Sequence, residues 1–125
     1  MYIYCLIIYT PYRDFMLLLP LTNVKTEIMI AGNEKFLEKK LREEIKKIGG
    51  LAIKFTSPYF TGMPDRLVLM PNGNLWFVEV KSTGKKLRGI QQAQALRLQE
   101  LGFKTRVIDS DESLGSFMRE VRYVL

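Results

Sequence analysis

A chain of 125 residues that is 47% hydrophobic and 26% charged has the balance of one globular domain and is too short for two independent cores. With no histidine it cannot build Ser-His-Asp or Cys-His nucleophile systems, His-based zinc sites or His-dependent nuclease sites, and its single cysteine excludes an internal disulfide or a Cys-rich metal site. A net charge of +6 favours a polyanionic partner such as nucleic acid.

Residues 1–32 are apolar but broken. The runs 2–9 and 15–21 are interrupted by Pro11, Arg13, Asp14 and Pro20, and Cys5 reads as a small apolar residue within the first run. Neither run reaches the roughly 18–20 residues that span a bilayer, and no basic stretch precedes the first, so a cytoplasmic protein is expected. The segment is too apolar for a free solvated tail. It reads as an added strand, an oligomer contact or an extension from an upstream start.

From residue 33 the pattern becomes helical. Leu37, Leu41, Ile45 and Ile48 form one buried stripe, leaving Lys39, Lys40, Arg42, Lys46 and Lys47 in water, with Asn33 as N-cap and Gly49-Gly50 as the stop. Glu38 flanks the buried stripe and Glu34 lies one turn earlier. An ordinary surface pairing of Glu38 with Arg42 at i,i+4 is the alternative to a site role. Residues 51–55 read as a strand carrying Lys54, followed by a loop with Ser57-Pro58. Gly62, lacking a Cβ, would allow a phosphate to approach the backbone just before Asp65.

Asn72-Gly73 between two apolar runs signals a tight type I′ hairpin, pairing residues 67–70 with 75–81. Side chains two apart on a strand share a face, so Glu79 and Lys81 project together while Val78 and Val80 face the other way. Asp65 has the parity of Leu67 and Leu69 and can reach that cluster. Charges alternating along a strand are also what a plain solvated sheet face looks like. If the carboxylates do converge without a histidine, oxygen ligands of this kind suit Mg²⁺ or Mn²⁺.

Beyond Lys81, the cations Lys85, Lys86 and Arg88 follow Gly84 in a basic loop and form a candidate phosphate-contacting patch, or a solvated charge run. Residues 89–101 read as a helix with Leu98, Leu101 and Gln94 on one stripe and Gln91 at its inward edge. Residues 105–109 read as a strand. Leu114, Phe117, Met118 and Val121 then mark an amphipathic helix that covers the sheet or meets a second subunit.

Pro64-Asp65 followed after fourteen positions by Glu79-Val80-Lys81 resembles the PD-(D/E)XK nuclease pattern. Gly49-Gly50-Leu51-Ala52-Ile53-Lys54-Phe55, Gly62-Met63-Pro64-Asp65-Arg66-Leu67-Val68-Leu69, Phe77-Val78-Glu79-Val80-Lys81, Arg88-Gly89-Ile90-Gln91 and Leu101-Gly102-Phe103 extend it. Over roughly residues 33–110, these ordered blocks resemble the virus-type replication-repair nuclease (VRR-NUC) family, above all its stand-alone phage and viral members.

The resemblance implies an α/β (α+β), restriction-endonuclease-like domain over 33–125, with a central mixed sheet flanked by helices. It implies Mg²⁺ or Mn²⁺ held by Asp65, Glu79 and the Val80 carbonyl, with Glu38 on the metal or water side. Lys81 would stabilise the transition state or orient the attacking water, and Gln91 would position that water or Lys81. Lys54, Lys85, Lys86 and Arg88 would meet the DNA backbone. The implied activity is structure-selective endonucleolytic hydrolysis of branched DNA by a homodimer resembling Holliday-junction resolvases, in the host cytoplasm if phage-encoded. A flap- or nick-directed repair nuclease and a non-cutting branched-DNA-binding module are the alternatives. Glu79→Ala is expected to abolish cleavage and leave the fold intact.

Overall fold

The structure, a computed structural model, describes residues 6–7, 18–19 and 34–125. The chain divides into two compact units, Met1–Ala31 and Gly32–Leu125. In the first, β1 (Leu6–Ile7) and β2 (Leu18–Leu19) pair antiparallel, Leu6 opposite Leu19. The other expectations for residues 1–32, including Cys5, and the Asn33 cap lie outside the described residues.

The second unit opens with α1 (Glu34–Lys47), whose buried residues are Leu37, Leu41 and Ile45, the stripe the spacing predicts. It stops where expected. The Gly50 N–H donates to the Ile45 carbonyl at 3.0 Å and the Gly49 N–H to that of Lys46 at 3.1 Å, while Gly49 takes φ +84°, a left-handed C-terminal cap that glycine adopts without strain.

The sheet follows as β3 (Leu51–Lys54), β4 (Arg66–Met70), β5 (Asn74–Val80) and β6 (Lys104–Ile108), in that spatial order. The first two pairings are antiparallel and β5–β6 is parallel, so the sheet is mixed. A parallel pair needs a crossover, which α2 (Gly89–Glu100) supplies. The hairpin turn differs from the expected two-residue form. Met70 pairs with Asn74, so Pro71, Asn72 and Gly73 make a three-residue 3₁₀ turn in which Asn72 and Gly73 still carry positive φ, 63° and 74°. Proline at the first turn position presets its φ and lengthens the connection by one residue.

Strand alternation sends Val68, Met70, Trp76, Val78, Val80 and Ile108 to one face. There they pack against α1 and against Leu114, Phe117, Met118 and Val121 of α3 (Asp111–Tyr123), with the Trp76 and Phe117 rings edge to face at 6.1 Å. The last helix therefore covers the sheet, one of the two roles its apolar stripe allowed. Trp76 Nε1 donates to Glu120 at 2.9 Å, and Arg106 grips the same carboxylate at 2.6 and 2.7 Å. Burial alone would raise the Glu120 pKa, but the Arg106 and Trp76 hydrogen bonds outweigh it and leave it lowered.

The other face carries Glu79 and receives α2 through Gln91 and Leu98, the buried residues of that helix. Leu101, expected on the buried stripe, is exposed because the helix has ended and turned at that point.

Candidate active site

The hairpin brings Asp65 and Glu79 to the same end of the sheet, because Arg66 pairs with Val78 and leaves their flanking residues side by side. The Asp65 N–H donates to Glu79 Oε2 at 3.0 Å, and the Val80 N–H donates to Asp65 Oδ1 at 3.3 Å. Each acid thus ties down the other's strand. Lys81 lies one residue past β5, its N–H continuing the ladder to the Ile108 carbonyl at 2.8 Å. Its Nζ reaches Glu79 Oε1 at 2.9 Å.

Gln91 also reaches this carboxylate, Nε2 to Glu79 Oε1 at 2.7 Å, while its own Oε1 accepts the Arg88 N–H at 2.9 Å. The amide expected to position the water or Lys81 is engaged at both ends within the protein and only 7% exposed. Gln91 is a positioning residue for Glu79. Glu79, 6% exposed, has both oxygens partnered and forms the hub of the cluster. An amide and an ammonium on one buried carboxylate satisfy a charge that burial would otherwise penalise heavily.

Asp65 is less well compensated. Burial and the neighbouring Glu79 charge push its pKa up to about 6 against the opposing effects of the Val80 N–H and Arg66. Carboxylate oxygens of Glu34, Glu38 and Asp65 lie within 4.8 Å of one another, so the first helix delivers both of its candidate acids to this end of the sheet. Glu38 does not pair with Arg42. It takes Arg66, Nη2 to Oε2 at 2.6 Å.

Arg66 was absent from the expected site. The same alternation that placed Glu79 shows where it belongs, since Arg66 shares the parity of Val68 and Met70 and so begins on the inward face, where an arginine requires an acidic partner. Its Nε is buried without a hydrogen-bond partner. Arg66→Gln is expected to destabilise the protein in metal-chelating buffer by about 1–3 kcal/mol, because Glu38 would remain beside two other carboxylates with its cation removed. A urea midpoint unchanged at pH 7 would reduce the pair to an ordinary surface contact.

These donors fit a hard divalent cation. They are oxygens only, they converge, and Asp65 is electrostatically unrelieved in their company. The converged group, Glu34, Glu38 and Asp65, adds Glu34 to the expected metal-side residues Asp65, Glu79, the Val80 carbonyl and Glu38, while the Glu79 oxygens take protein partners and the Val80 N–H donates to Asp65. Asp65 and Glu38 are common to both.

Lys54 closes β3 opposite Arg66, beside the Phe55 N–H that donates to the Asp65 carbonyl at 2.7 Å, so it lies at the site's end of the sheet and is exposed. Lys85, Lys86 and Arg88 are exposed on the loop between Lys81 and α2. Gly62 behaves differently from expectation. The space a Cβ would take is filled by Ile90, whose carbonyl oxygen lies 2.9 Å away, so the glycine admits a helix rather than a phosphate.

A hairpin that presents an aspartate from one strand against a Glu-x-Lys pair from the next, with helix carboxylates closing the same corner, is the framework of a nuclease. The VRR-NUC domain family model matches residues 5–112, and this chain belongs to that family. The match begins further towards the N-terminus than the residue blocks quoted above. The chain is 47% identical over 79 residues to "Putative nuclease p44" of Acyrthosiphon pisum secondary endosymbiont phage 1, covering 63% of this chain and 85% of that protein. A solved VRR-NUC domain structure is similar at a TM-score of 0.66 and 30% identity, covering 69% of this chain and 94% of the other. The mixed sheet and flanking helices are thus those of the family fold. Among the described residues, no helix is long and apolar enough to cross a membrane.

Proposed function

We propose that this protein is a metal-dependent DNA endonuclease that hydrolyses phosphodiesters in branched DNA, acting as a homodimer in the manner of a junction resolvase. The observation that carries the reading is the convergence of Asp65, Lys81 and Gln91 on the Glu79 carboxylate beside Glu34 and Glu38. Converging carboxylates repel a phosphodiester by themselves, and a divalent cation held among them would turn that repulsion into attraction. The exposed Lys54, Lys85, Lys86 and Arg88 supply charge complementary to a nucleic-acid backbone.

Mg²⁺ or Mn²⁺, held by Asp65 with Glu79 and the Val80 carbonyl or with Glu34 and Glu38, would activate water and offset charge on the scissile phosphate. Asp65, with its pKa raised to about 6, is mostly ionised at neutral pH and available as an oxygen donor. Lys81 holds its ammonium at the site through Glu79 and is placed to stabilise negative charge as the phosphodiester bond breaks. Gln91 keeps the Glu79 carboxylate oriented. A two-fold dimer would offer paired sites to the symmetric strands of a four-way junction.

The test is cleavage of labelled four-way junction, flap and linear duplex with Mg²⁺, Mn²⁺ or chelator. Symmetric, metal-dependent nicks on the junction are expected. Preference for flaps would replace the resolvase assignment by a flap- or nick-directed repair nuclease, and tight binding without cutting would make the domain a branched-DNA-binding module.

A further inference from the structure

The loop between β3 and β4 exposes aromatic rings where solvent gives them no benefit. Tyr59 is 92% exposed and Phe60 53% exposed, although the same loop is firmly tied at its C-terminal end. Gln94 Nε2 donates to the Thr61 carbonyl at 3.2 Å, and Gly62, at φ +85°, seats against Ile90. Both anchors are on α2, the helix whose Gln91 orients Glu79. The loop is therefore held in a fixed relation to the proposed catalytic carboxylates.

Beside it, Phe60 forms one wall of an almost wholly apolar cleft of about 220 Å³ together with Met63, Leu98, Leu101 and the stems of Gln94 and Arg97. Met63 is two positions from Asp65, so this cleft begins no more than about 7 Å of chain from the site. An exposed tyrosine beside an apolar cleft with an aromatic wall suits the face of a nucleobase, and the exposed Arg97 at its rim supplies a cation for the attached phosphate. A base inside a duplex is stacked and cannot enter. An unpaired one can.

We propose that Tyr59, Phe60 and the cleft behind them bind an unpaired DNA base close to the scissile phosphate, so that branched DNA is selected by its unstacked nucleotides. The proposal rests on the nuclease reading above. It adds a selectivity site that the carboxylate cluster does not contain.

The experiment places 2-aminopurine at an unpaired nucleotide next to the branch of a flap, and separately within a linear duplex. Fluorescence and binding are followed in chelator, and cleavage in Mg²⁺. Wild-type protein is expected to quench the unpaired probe, while Tyr59→Ala combined with Phe60→Leu removes the quench and lowers the affinity ratio of flap over duplex by about tenfold. The full exposure of Tyr59 and the retained apolar side chain at position 60 make misfolding an unsuitable explanation, and thermal melting checks it. Unchanged quenching and an unchanged affinity ratio in a variant that melts normally would overturn the base site alone, leaving the nuclease intact. A wild-type protein that cuts no DNA with either metal would overturn the nuclease reading and this proposal together.

Discussion

Glu79→Gln is expected to cut about 10²–10³-fold more slowly than wild type while losing less stability to urea than Glu79→Ala. The amide keeps the size of the side chain and one acceptor oxygen, so the Asp65 N–H or Lys81 retains a partner, but the negative charge that holds Lys81 is gone. Glu79→Ala should behave differently. It strips the acceptor from the Asp65 N–H, Lys81 Nζ and Gln91 Nε2 at once, in a place where Glu79 is only 6% exposed. Leaving an ammonium without its buried partner costs about 3 kcal/mol, against the ~0–1 kcal/mol of a surface pair. The expectation that alanine leaves the fold intact therefore gives way, because Glu79 is a buried hub rather than one of a row of exposed strand charges. Single-turnover cleavage rates and urea titrations of the two variants check both halves. Normal cutting by Glu79→Gln would remove Glu79 from the reaction.

Local periodicity carried much of this fold. The spacing of Leu37, Leu41 and Ile45 marks α1, that of Leu114, Phe117, Met118 and Val121 marks α3, and Asn72-Gly73 marks the hairpin. Period-two alternation was enough to put Glu79 and Lys81 together, since their relation depends on one strand only. What remained illegible depends on long-range contacts. Whether Glu79 lies in water or under a helix is decided by α2, whose own sequence has little amphipathic contrast and buries only Gln91 and Leu98. The Arg66–Glu38 pair joins a strand to a helix, and no local pattern connects two residues so far apart. Gln91 shows the same limit. Its presence near the site was readable, but its hydrogen bonds to Glu79 and to the Arg88 backbone were not, because they depend on how α2 seats on the sheet.

Asp65→Asn is expected to make the metal-free protein more stable at neutral pH and inactive as a nuclease. The Asp65 pKa rises from 3.8 to about 6, first through burial and then through the charge of Glu79. Between those two pH values the folded state binds a proton that the unfolded chain has released. The stability associated with this group is therefore fully present below about 4 and is lost as pH rises through about 6. Wild-type protein in chelator should show its melting temperature falling across that window relative to Asp65→Asn, which has no proton to lose there. Solvent screening of a partly exposed group makes the difference smaller than the bare pKa displacement implies. Activity should run the opposite way, rising with pH as the cation displaces the Asp65 proton, with its midpoint below the metal-free value of about 6 because a bound cation favours the carboxylate. Adding Mn²⁺ at pH 7 should raise the wild-type melting temperature and leave that of Asp65→Asn nearly unmoved, because a ligand stabilises only the folded form that binds it. Equal Mn²⁺ shifts in both proteins would place the cation elsewhere, whereas the expected contrast would identify an acid whose folded-state cost is the counterpart of its use.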